Sequence, residues 1–412
     1  MAMPTPQSSP PCGAARMRIA AAYYAAFVLL GLMLTSVGPA LDALQQQAGS
    51  TAGSISLLFT ATALGYMAGS LTGGRLYGRL EGNRVVATAL LCLAAVTVTV
   101  PLWESLWMLI AVFVLIGISL GVLDVGGNTL MVWLYRSDVP PYMSALHLSF
   151  GVGAFVGPLV MDRVAVITGD AINTYWLYAG LMIPVAVWVV MMPSPGSPVA
   201  AAGGTGGPGR VRSHAVMIGL IAAFFFMHIG AQTAFGGWIY SYSRDLVGSE
   251  TAARVVNSAF WGGLVLGRII AIPLALRVAP RVMLEINLAG CLATIGIMIL
   301  LPASVPVLWI GTVGFGMAVA SMIPASINLA ARRIPITGQV TSMFLVGGSL
   351  GSMSLPWVVG QMFETRGRGS MLFVTGAAMV AAVLVFAALL TRSREHRAGP
   401  ESISLSQGVP PV

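Results

Sequence analysis

The chain has 412 residues, of which 57% are hydrophobic and only 8% are charged, and its formal net charge is +8. These charged side chains are too few to cover the surface of a soluble globular protein of this length. The composition therefore excludes a soluble globular protein. The 21 basic residues are all arginine and stand in short gaps between apolar stretches instead of forming one basic patch, which argues against a nucleic-acid partner.

Twelve apolar stretches fill most of the chain, and each is about long enough to cross a bilayer as a helix, which takes about 20 residues. Backbone polar groups must be satisfied inside the hydrocarbon core, so the crossings must be helices or the strands of a closed barrel. Residues 85–102 and 373–390 are apolar throughout and lack the alternation of barrel strands. The sequence therefore predicts an all-α integral membrane protein with twelve transmembrane helices. In chain order, the predicted helices are 19–41, 53–74, 84–102, 106–135, 141–164, 172–192, 215–242, 252–278, 282–301, 305–330, 338–363 and 370–390.

The segments outside these helices divide the chain. Residues 1–18 and 392–412 contain many polar residues and prolines, and they are expected to be disordered cytoplasmic ends. Residues 193–214 are rich in Pro and Gly and predict a flexible cytoplasmic linker. The linker separates a six-helix bundle at 19–192 from a second one at 215–391.

The two bundles echo each other in sequence. Asn128 and Asn328, and likewise Pro158 and Pro356, stand about 200 residues apart and in the same order. Such an offset is expected of two parallel repeats. It predicts two pseudo-symmetric six-helix bundles.

The arginines also predict an orientation. Fifteen of them fall before the first helix, after the last helix or in every second connection, whereas five fall in the remaining connections. Cytoplasmic segments carry the excess of basic residues in membrane proteins. We therefore expect a multi-pass protein of the cell (inner) membrane with both termini in the cytoplasm.

Asp124 is the only carboxylate deep inside a predicted helix, about four residues past the middle of the fourth. A charge there costs about 2.5–3.5 kcal/mol on insertion scales, so Asp124 is expected to face the bundle interior and to be functional. Burial disfavours the charged form of a carboxyl group, which suits a group that binds and releases a proton. Asn128 lies one turn further on the same face and could hold a substrate hydroxyl group. The alternatives are an Asp124 locked to an arginine and an Asn128 that only bonds a neighbouring helix.

Arg268 is the only basic residue well inside a predicted helix, and Asp124, at a similar depth, is the obvious candidate for its partner. Alternatively the two residues form separate sites, with Arg268 bonding backbone carbonyls. His147, in the fifth helix, could relay a proton, bond a substrate hydroxyl group or be a neutral structural histidine. Asp124, His147 and Arg268 are thus the candidates for ion coupling.

The seventh helix carries two further polar residues near its middle. His228 and Gln232 are one turn apart and could hold substrate hydroxyl groups, although His228 could equally be structural. Gly236 and Gly237 follow and permit a kink or an unwound turn.

Aromatic and amide side chains complete the candidate set for substrate binding. Trp238 follows the glycine pair, and Asn257 and Trp261 lie in the eighth helix. Indole rings stack on sugar rings, and an amide holds hydroxyl groups. The alternative for Trp near helix ends is the aromatic belt at the membrane interface.

Several kinds of chemistry find no support in the sequence. A chain without lysine has no Gly-x-x-x-x-Gly-Lys phosphate loop, and no His or Cys cluster has zinc spacing. No nucleophile stands with a base and an orienting group. We therefore expect neither an enzyme nor a bound cofactor or metal.

Five segments occur in a combination that is typical of one family. They are Gly38–Asp42 at the end of the first helix, Asp124–Asn128, Ala145–Gly151, Gly236–Tyr242 and Asn257–Trp261. Through them the chain resembles the major facilitator superfamily over nearly its full length. In detail it is similar to the sodium-dependent glucose transporter branch and, more loosely, to the L-fucose–proton symporters.

The chain also departs from the family patterns. The superfamily has an Asp in a Gly-x-x-x-Asp-Arg run after the second helix, where Gly74–Arg79 of this chain has Gly78 instead. The aspartate in the first helix of the fucose symporters falls at Thr35. Coupling through two carboxylates is therefore not carried over from them.

The resemblance implies a secondary active transporter whose two bundles rock about a central cavity and expose it alternately to each side of the lipid bilayer. It implies uptake of a monosaccharide or a similar small polar solute, coupled to a proton or sodium ion, by a monomer. The alternative is proton-driven efflux of amphiphilic compounds or drugs, because Gly153–Pro158 matches part of the antiporter signature. A membrane sensor that does not transport is a third hypothesis.

Overall fold

The computed structural model describes residues 13–196, 215–332, 334 and 338–398. Within these ranges the secondary structure is helical, and twelve helical spans are long and apolar enough to cross a membrane. The predicted all-α membrane fold is therefore confirmed. Most of the predicted terminal segments and of the predicted linker lie outside the described residues.

The N-terminal half contains eight of the described α-helices and three short 3-10 segments, at Val100–Leu102, Arg136–Asp138 and Ala171–Asn173. The α-helices are Gly13–Leu34 (α1), Val37–Gln47 (α2), Ala52–Ile55 (α3), Leu57–Tyr77 (α4), Gly82–Thr97 (α5), Leu106–Tyr135 (α6), Val139–Thr168 (α7) and Thr174–Met191 (α8).

The C-terminal half contains the other seven described α-helices. They are Ala215–Val247 (α9), Glu250–Ala275 (α10), Pro280–Leu300 (α11), Val305–Val319 (α12), Met322–Ala331 (α13), Gly338–Arg366 (α14) and Ser370–Ala398 (α15).

Several helices that the sequence predicts as continuous are divided, and two of them break four residues before a proline. The first predicted helix breaks at Thr35, between α1 and α2, and the tenth breaks at Ala320, between α12 and α13. Proline has no N–H to donate to the carbonyl group four residues earlier, so Pro39 and Pro324 deprive Thr35 and Ala320 of their helical partners. The end of the first span is thus a separate helix.

Glycines hold two helices of each half in backbone contact. A Cβ atom on Gly65 of α4 would lie 2.1 Å from the carbonyl oxygen of Val114 in α6. In the other half, a Cβ atom on Gly263 of α10 would lie 2.4 Å from the carbonyl oxygen of Val313 in α12. Any side chain at these glycines would push the helices apart.

A second helix pair in each half packs in the same manner. A Cβ atom on Gly153 of α7 would lie 2.0 Å from the carbonyl oxygen of Val28 in α1, and one on Gly351 of α14 would lie 2.1 Å from that of Phe226 in α9. Spans one, two, four and five of the first half therefore pack like spans seven, eight, ten and eleven of the second. The predicted pseudo-symmetry of the two bundles is confirmed.

The two halves meet closely at one end of the spans, which we call the closed end. It is formed by α2, α3, the last turns of α9 and α14, and the first turns of α10. A Cβ atom on Gly38 would lie 2.8 Å from the carbonyl oxygen of Gly237, and one on Gly360 would lie 2.4 Å from the Cβ atom of Ser56. The connections after α4, α6 and α10 lie at the opposite end.

Candidate functional site

Asp124 is held by two neutral donors within the N-terminal half. The hydroxyl group of Tyr66 donates to Oδ2 of Asp124 at 2.7 Å. The Nδ2 group of Asn128 donates to Oδ1 of Asp124 at 3.2 Å and to its backbone carbonyl at 2.9 Å. Each carboxylate oxygen therefore has one uncharged partner, so the group can exchange a proton or bind a cation without breaking an ion pair.

Tyr66 reaches Asp124 because α4 and α6 are in backbone contact. A Cβ atom on Gly121, one turn before Asp124, would lie 2.2 Å from the carbonyl oxygen of Tyr66. Tyr66 is not among the residues predicted from the sequence. Nothing in the sequence indicates that α4 and α6 face each other, so it carries no signal for this tyrosine.

Arg268 does not pair with Asp124. Among the described residues Arg268 makes no ion pair, and the partners of Asp124 are Tyr66 and Asn128. His147 lies in α7, and its ring packs edge-on against Phe27 of α1 with 6.3 Å between centroids. The structure thus separates Asp124 from Arg268.

Asn257 and Trp261 of α10 present unused hydrogen-bonding atoms one turn apart. Nδ2 of Asn257 donates to the carbonyl oxygen of Gly236 at 2.7 Å, whereas its Oδ1 atom has no partner among the described residues. The indole N–H of Trp261 is likewise buried without a partner there. An acceptor and a donor on one helix face beside an aromatic ring form a suitable site for a hydroxyl-bearing solute.

The glycine pair of α9 does not unwind the helix. The sequence analysis allowed a kink or unwound turn at Gly236 and Gly237, but α9 is helical throughout Ala215–Val247. The glycines serve close packing instead, since a Cβ atom on Gly236 would lie 2.7 Å from the Phe260 ring and one on Gly237 would lie 2.7 Å from the Phe59 ring.

Trp238 lies in the contact between the halves. Its indole N–H donates to the carbonyl oxygen of Pro356 at 2.9 Å. Its ring packs against Phe363, with 4.7 Å between centroids, and against Phe59 of the other half. With its donor used and its side chain buried, Trp238 is placed to join helices and not to stack on a solute.

His228 and Gln232 differ in their surroundings although they are one turn apart. His228 is fully buried, stacked on Phe224 and edge-on to Phe225, and its Nε2 atom has no partner among the described residues. Gln232 is partly exposed. The structure therefore makes Gln232 more accessible to a solute than His228.

The sequence analysis missed a buried ion pair between the halves. NH1 of Arg254 in α10 lies 3.4 Å from Oδ1 of Asp162 in α7, and the two side chains are 5% and 4% exposed. NH2 of Arg254 lies 2.8 Å from Glu250 of its own helix. In the sequence, Arg254 stands near the end of an apolar stretch and counts as an external arginine. The positions of arginines along the chain do not show that the ends of α7 and α10 meet.

A second group of polar contacts joins the halves beside this pair. Arg244 of α9 lies 2.8 Å from Asp42 of α2, and the hydroxyl group of Ser241 donates to the same carboxylate at 2.7 Å. Glu364 of α14 accepts a hydrogen bond of 2.6 Å from the backbone N–H of Gly53. Because these contacts cross from one half to the other, the closed end can open only when they break.

Comparisons with known proteins agree with this architecture. The chain is 28% identical to the mouse sodium-dependent glucose transporter 1A over 82% of this chain and 88% of that protein. It is 26% identical to the human sodium-dependent glucose transporter 1 over 82% of this chain and 72% of that protein. Human major facilitator superfamily domain-containing protein 4A is 23% identical over 85% of this chain and 87% of its own length. The resemblance to the glucose transporter branch is confirmed.

Solved transporter structures share the fold. An inward-facing bacterial homologue of the human lysosomal transporter Spinster matches with a TM-score of 0.73 and 13% identity, over 93% of this chain and 98% of that one. The nucleoside transporter NupG matches with a TM-score of 0.73 and 15% identity, over 92% of this chain and 99% of that one. The model of the Major Facilitator Superfamily matches residues 23–335. The chain is therefore a multi-pass membrane transporter, not an enzyme, and it belongs to the Major Facilitator Superfamily.

Proposed function

We propose that the protein is a secondary active transporter that takes up a monosaccharide, or a similar small polar solute, together with a coupling ion. The observation that carries this proposal is the pair of unused groups on α10, the Oδ1 atom of Asn257 and the indole N–H of Trp261. Buried polar atoms normally have partners, so a pair without them points to a bound hydroxyl group. The names of the glucose transporter relatives support a sugar as the solute.

Gln232 and Asn128 extend this proposed solute site from α9 and α6. Both are partly exposed inside their spans, and both carry an amide group that can donate to and accept from hydroxyl groups. His228 stays a weaker candidate because the phenylalanines enclose it.

Asp124 is our proposed coupling residue. Its neutral partners Tyr66 and Asn128 allow the carboxylate to gain and lose a proton or a sodium ion during the cycle. His147 of α7 and Arg268 of α10 are further proposed elements of coupling, as polar groups inside their spans. The name of the relatives favours sodium, whereas a single carboxylate suits a proton equally well.

The proposed cycle is alternating access. The distribution of arginines assigns the closed end to the outside and both termini to the cytoplasm, in the cell membrane. Uptake then requires the contacts of Arg244 and Arg254 with the N-terminal half to break, so that the interior opens outward. We propose a monomer in which each six-helix bundle moves as one body and residues 193–214 link the two.

Uptake of labelled hexoses into proteoliposomes tests the proposal. We expect accumulation of at least one hexose above the external concentration when a sodium or a proton gradient is imposed, and loss of accumulation when an ionophore removes the gradient. Equilibration alone, with either gradient, would refute coupling. Extrusion of an amphiphilic dye with no hexose uptake would favour the efflux alternative.

A further inference from the structure

A cavity lies at the closed end, apart from the proposed solute site. It has a volume of about 650 Å³ and is lined by the ends of α2, α7, α9 and α10. Small-molecule sites commonly have volumes of about 300–1,000 Å³. None of Asp124, Asn128, Asn257 or Trp261 lines it. We call this cavity the vestibule.

Tyr240 and Arg254 line the vestibule and carry unused polar atoms. The side chain of Tyr240 is 2% exposed, and its hydroxyl group has no hydrogen-bond partner among the described residues. The guanidinium group of Arg254 lies over the Tyr240 ring, 5.5 Å from the centroid, and its Nε–H is buried without a partner among those residues. Two nearly buried residues with unused polar atoms indicate a place for a ligand.

The charges around the vestibule favour an uncharged ligand. Asp42 is bonded to Arg244, and Glu250 is bonded to Arg254, so these four charges already have partners, whereas the two other carboxylates of the lining make no ion pair among the described residues and can accept hydrogen bonds from hydroxyl groups. The unused atoms are an O–H and an N–H, which donate to oxygen lone pairs and do not coordinate a cation. An anion is disfavoured because carboxylates outnumber guanidinium groups in the lining. A neutral solute with several hydroxyl groups fits these donors.

Unused polar atoms of α10 lead from the vestibule toward the proposed solute site. Arg254, Asn257 and Trp261 follow at steps of three and four residues and therefore share one helix face. Each of the three has an unused polar atom. A solute that leaves the vestibule would meet Asn257 next, once the pair of Arg254 and Asp162 has broken.

We propose that the vestibule is a separate outer binding site for the transported polyhydroxylated solute, with Tyr240 and Arg254 as its hydrogen-bonding residues. This inference rests on the proposed function, because it assigns the same solute to both sites. The solute binds here while the closed end is shut, and the ion pair beneath it controls passage inward.

Protection of an introduced cysteine tests the proposal. In a variant with Cys12, Cys92 and Cys291 changed to Ala, Gln46→Cys places a thiol in the vestibule wall, where a membrane-impermeant methanethiosulfonate reagent can label it from outside. We expect D-glucose to slow labelling several-fold. Loss of one hydrogen bond in Tyr240→Phe should raise the half-protecting glucose concentration about three- to tenfold.

Two variants and one salt control make the test decisive. Asn257→Ala should leave protection intact, and so should Tyr242→Phe, because neither residue lines the vestibule. Loss of protection in Asn257→Ala would overturn the proposal, since glucose would then act from the interior. Protection by sodium chloride without glucose would overturn it in favour of a cation site. Glucose uptake by the wild type without protection would refute the vestibule alone, whereas absence of uptake of every hexose tested would refute the proposed function.

Discussion

The partners of Asp124 in the structure differ from the partner that the sequence suggests. An acidic residue in an apolar helix suggests a partner of opposite charge, and Arg268 was the natural choice. The structure gives Asp124 two uncharged donors instead, Tyr66 and Asn128. A carboxylate without an ion pair is free to bind the coupling ion, and this defines its proposed role.

Asp124→Asn should therefore abolish accumulation of solute against its gradient but leave equilibration of solute across the membrane. The amide keeps the size of the side chain and can still bond Tyr66, but it binds neither a proton nor a cation. The measurement is uptake into proteoliposomes with and without an ion gradient. Glu285→Gln is the matched control, since Glu285 bonds Arg281 at the surface. Accumulation at the wild-type level in Asp124→Asn would remove this residue from coupling.

Among the ion pairs between the halves, loss of the pair of Asp162 and Arg254 should lower the free energy of unfolding most. Asp162→Ala removes the partner of Arg254 in the other half, but Glu250 still lies 2.8 Å from the guanidinium group, so the cost should be below the ~3–5 kcal/mol typical of an uncompensated buried charge. We expect a clear fall in the thermal unfolding temperature in detergent. Asp42→Ala breaks the more exposed pair of Asp42 and Arg244 and should lower the unfolding temperature less. Equal effects of the two substitutions would contradict this ranking.

At the scale of helices, glycine contacts decide which spans pair. The matching contacts of α4 with α6 and of α10 with α12 place Tyr66 beside Asp124 in one half and fix α10 in the other. Backbone contact at glycines thus fixes two helix pairs in each half.

Gly65→Ala should consequently destabilise the N-terminal half, because its Cβ atom would lie 2.1 Å from the carbonyl oxygen of Val114. Overpacking of this kind typically costs about 1–3 kcal/mol. Gly219→Ala in α9 is the matched control, since nothing lies within 4 Å of a Cβ atom there. Thermal unfolding of both variants in detergent measures the difference. A Gly65→Ala variant as stable as Gly219→Ala would show that α4 and α6 are not in backbone contact.

The sequence predicts the twelve membrane-spanning helices, but it does not predict where they are interrupted. Runs of apolar residues reveal the spans because the membrane demands length and hydrophobicity. Pro39 and Pro324 interrupt the first and tenth predicted helices, whereas Pro158 and Pro356 lie inside unbroken helices. A proline alone therefore does not predict a break.

At the scale of the molecule, the sequence could predict two bundles but not how they touch. The offset between Asn128 and Asn328 indicated a repeat, whereas the pairing of Asp162 with Arg254 joins residues of different halves and has no local signature. For the same reason, the sequence predicts only part of the candidate site. Polar residues inside spans stand out in sequence, but their partners, such as Tyr66, depend on which helix faces meet.

The central claim is that the two halves carry a polar solute between them by opening and shutting the closed end. Asp42→Cys with Ser241→Cys, in the variant free of other cysteines, places two thiols where the native side chains are 2.7 Å apart. A short reducible bis-methanethiosulfonate cross-linker would then tie the halves together, and hexose uptake would be measured before and after reduction. We predict that cross-linking stops uptake and that reduction restores it. Undiminished uptake by fully cross-linked protein would contradict the account.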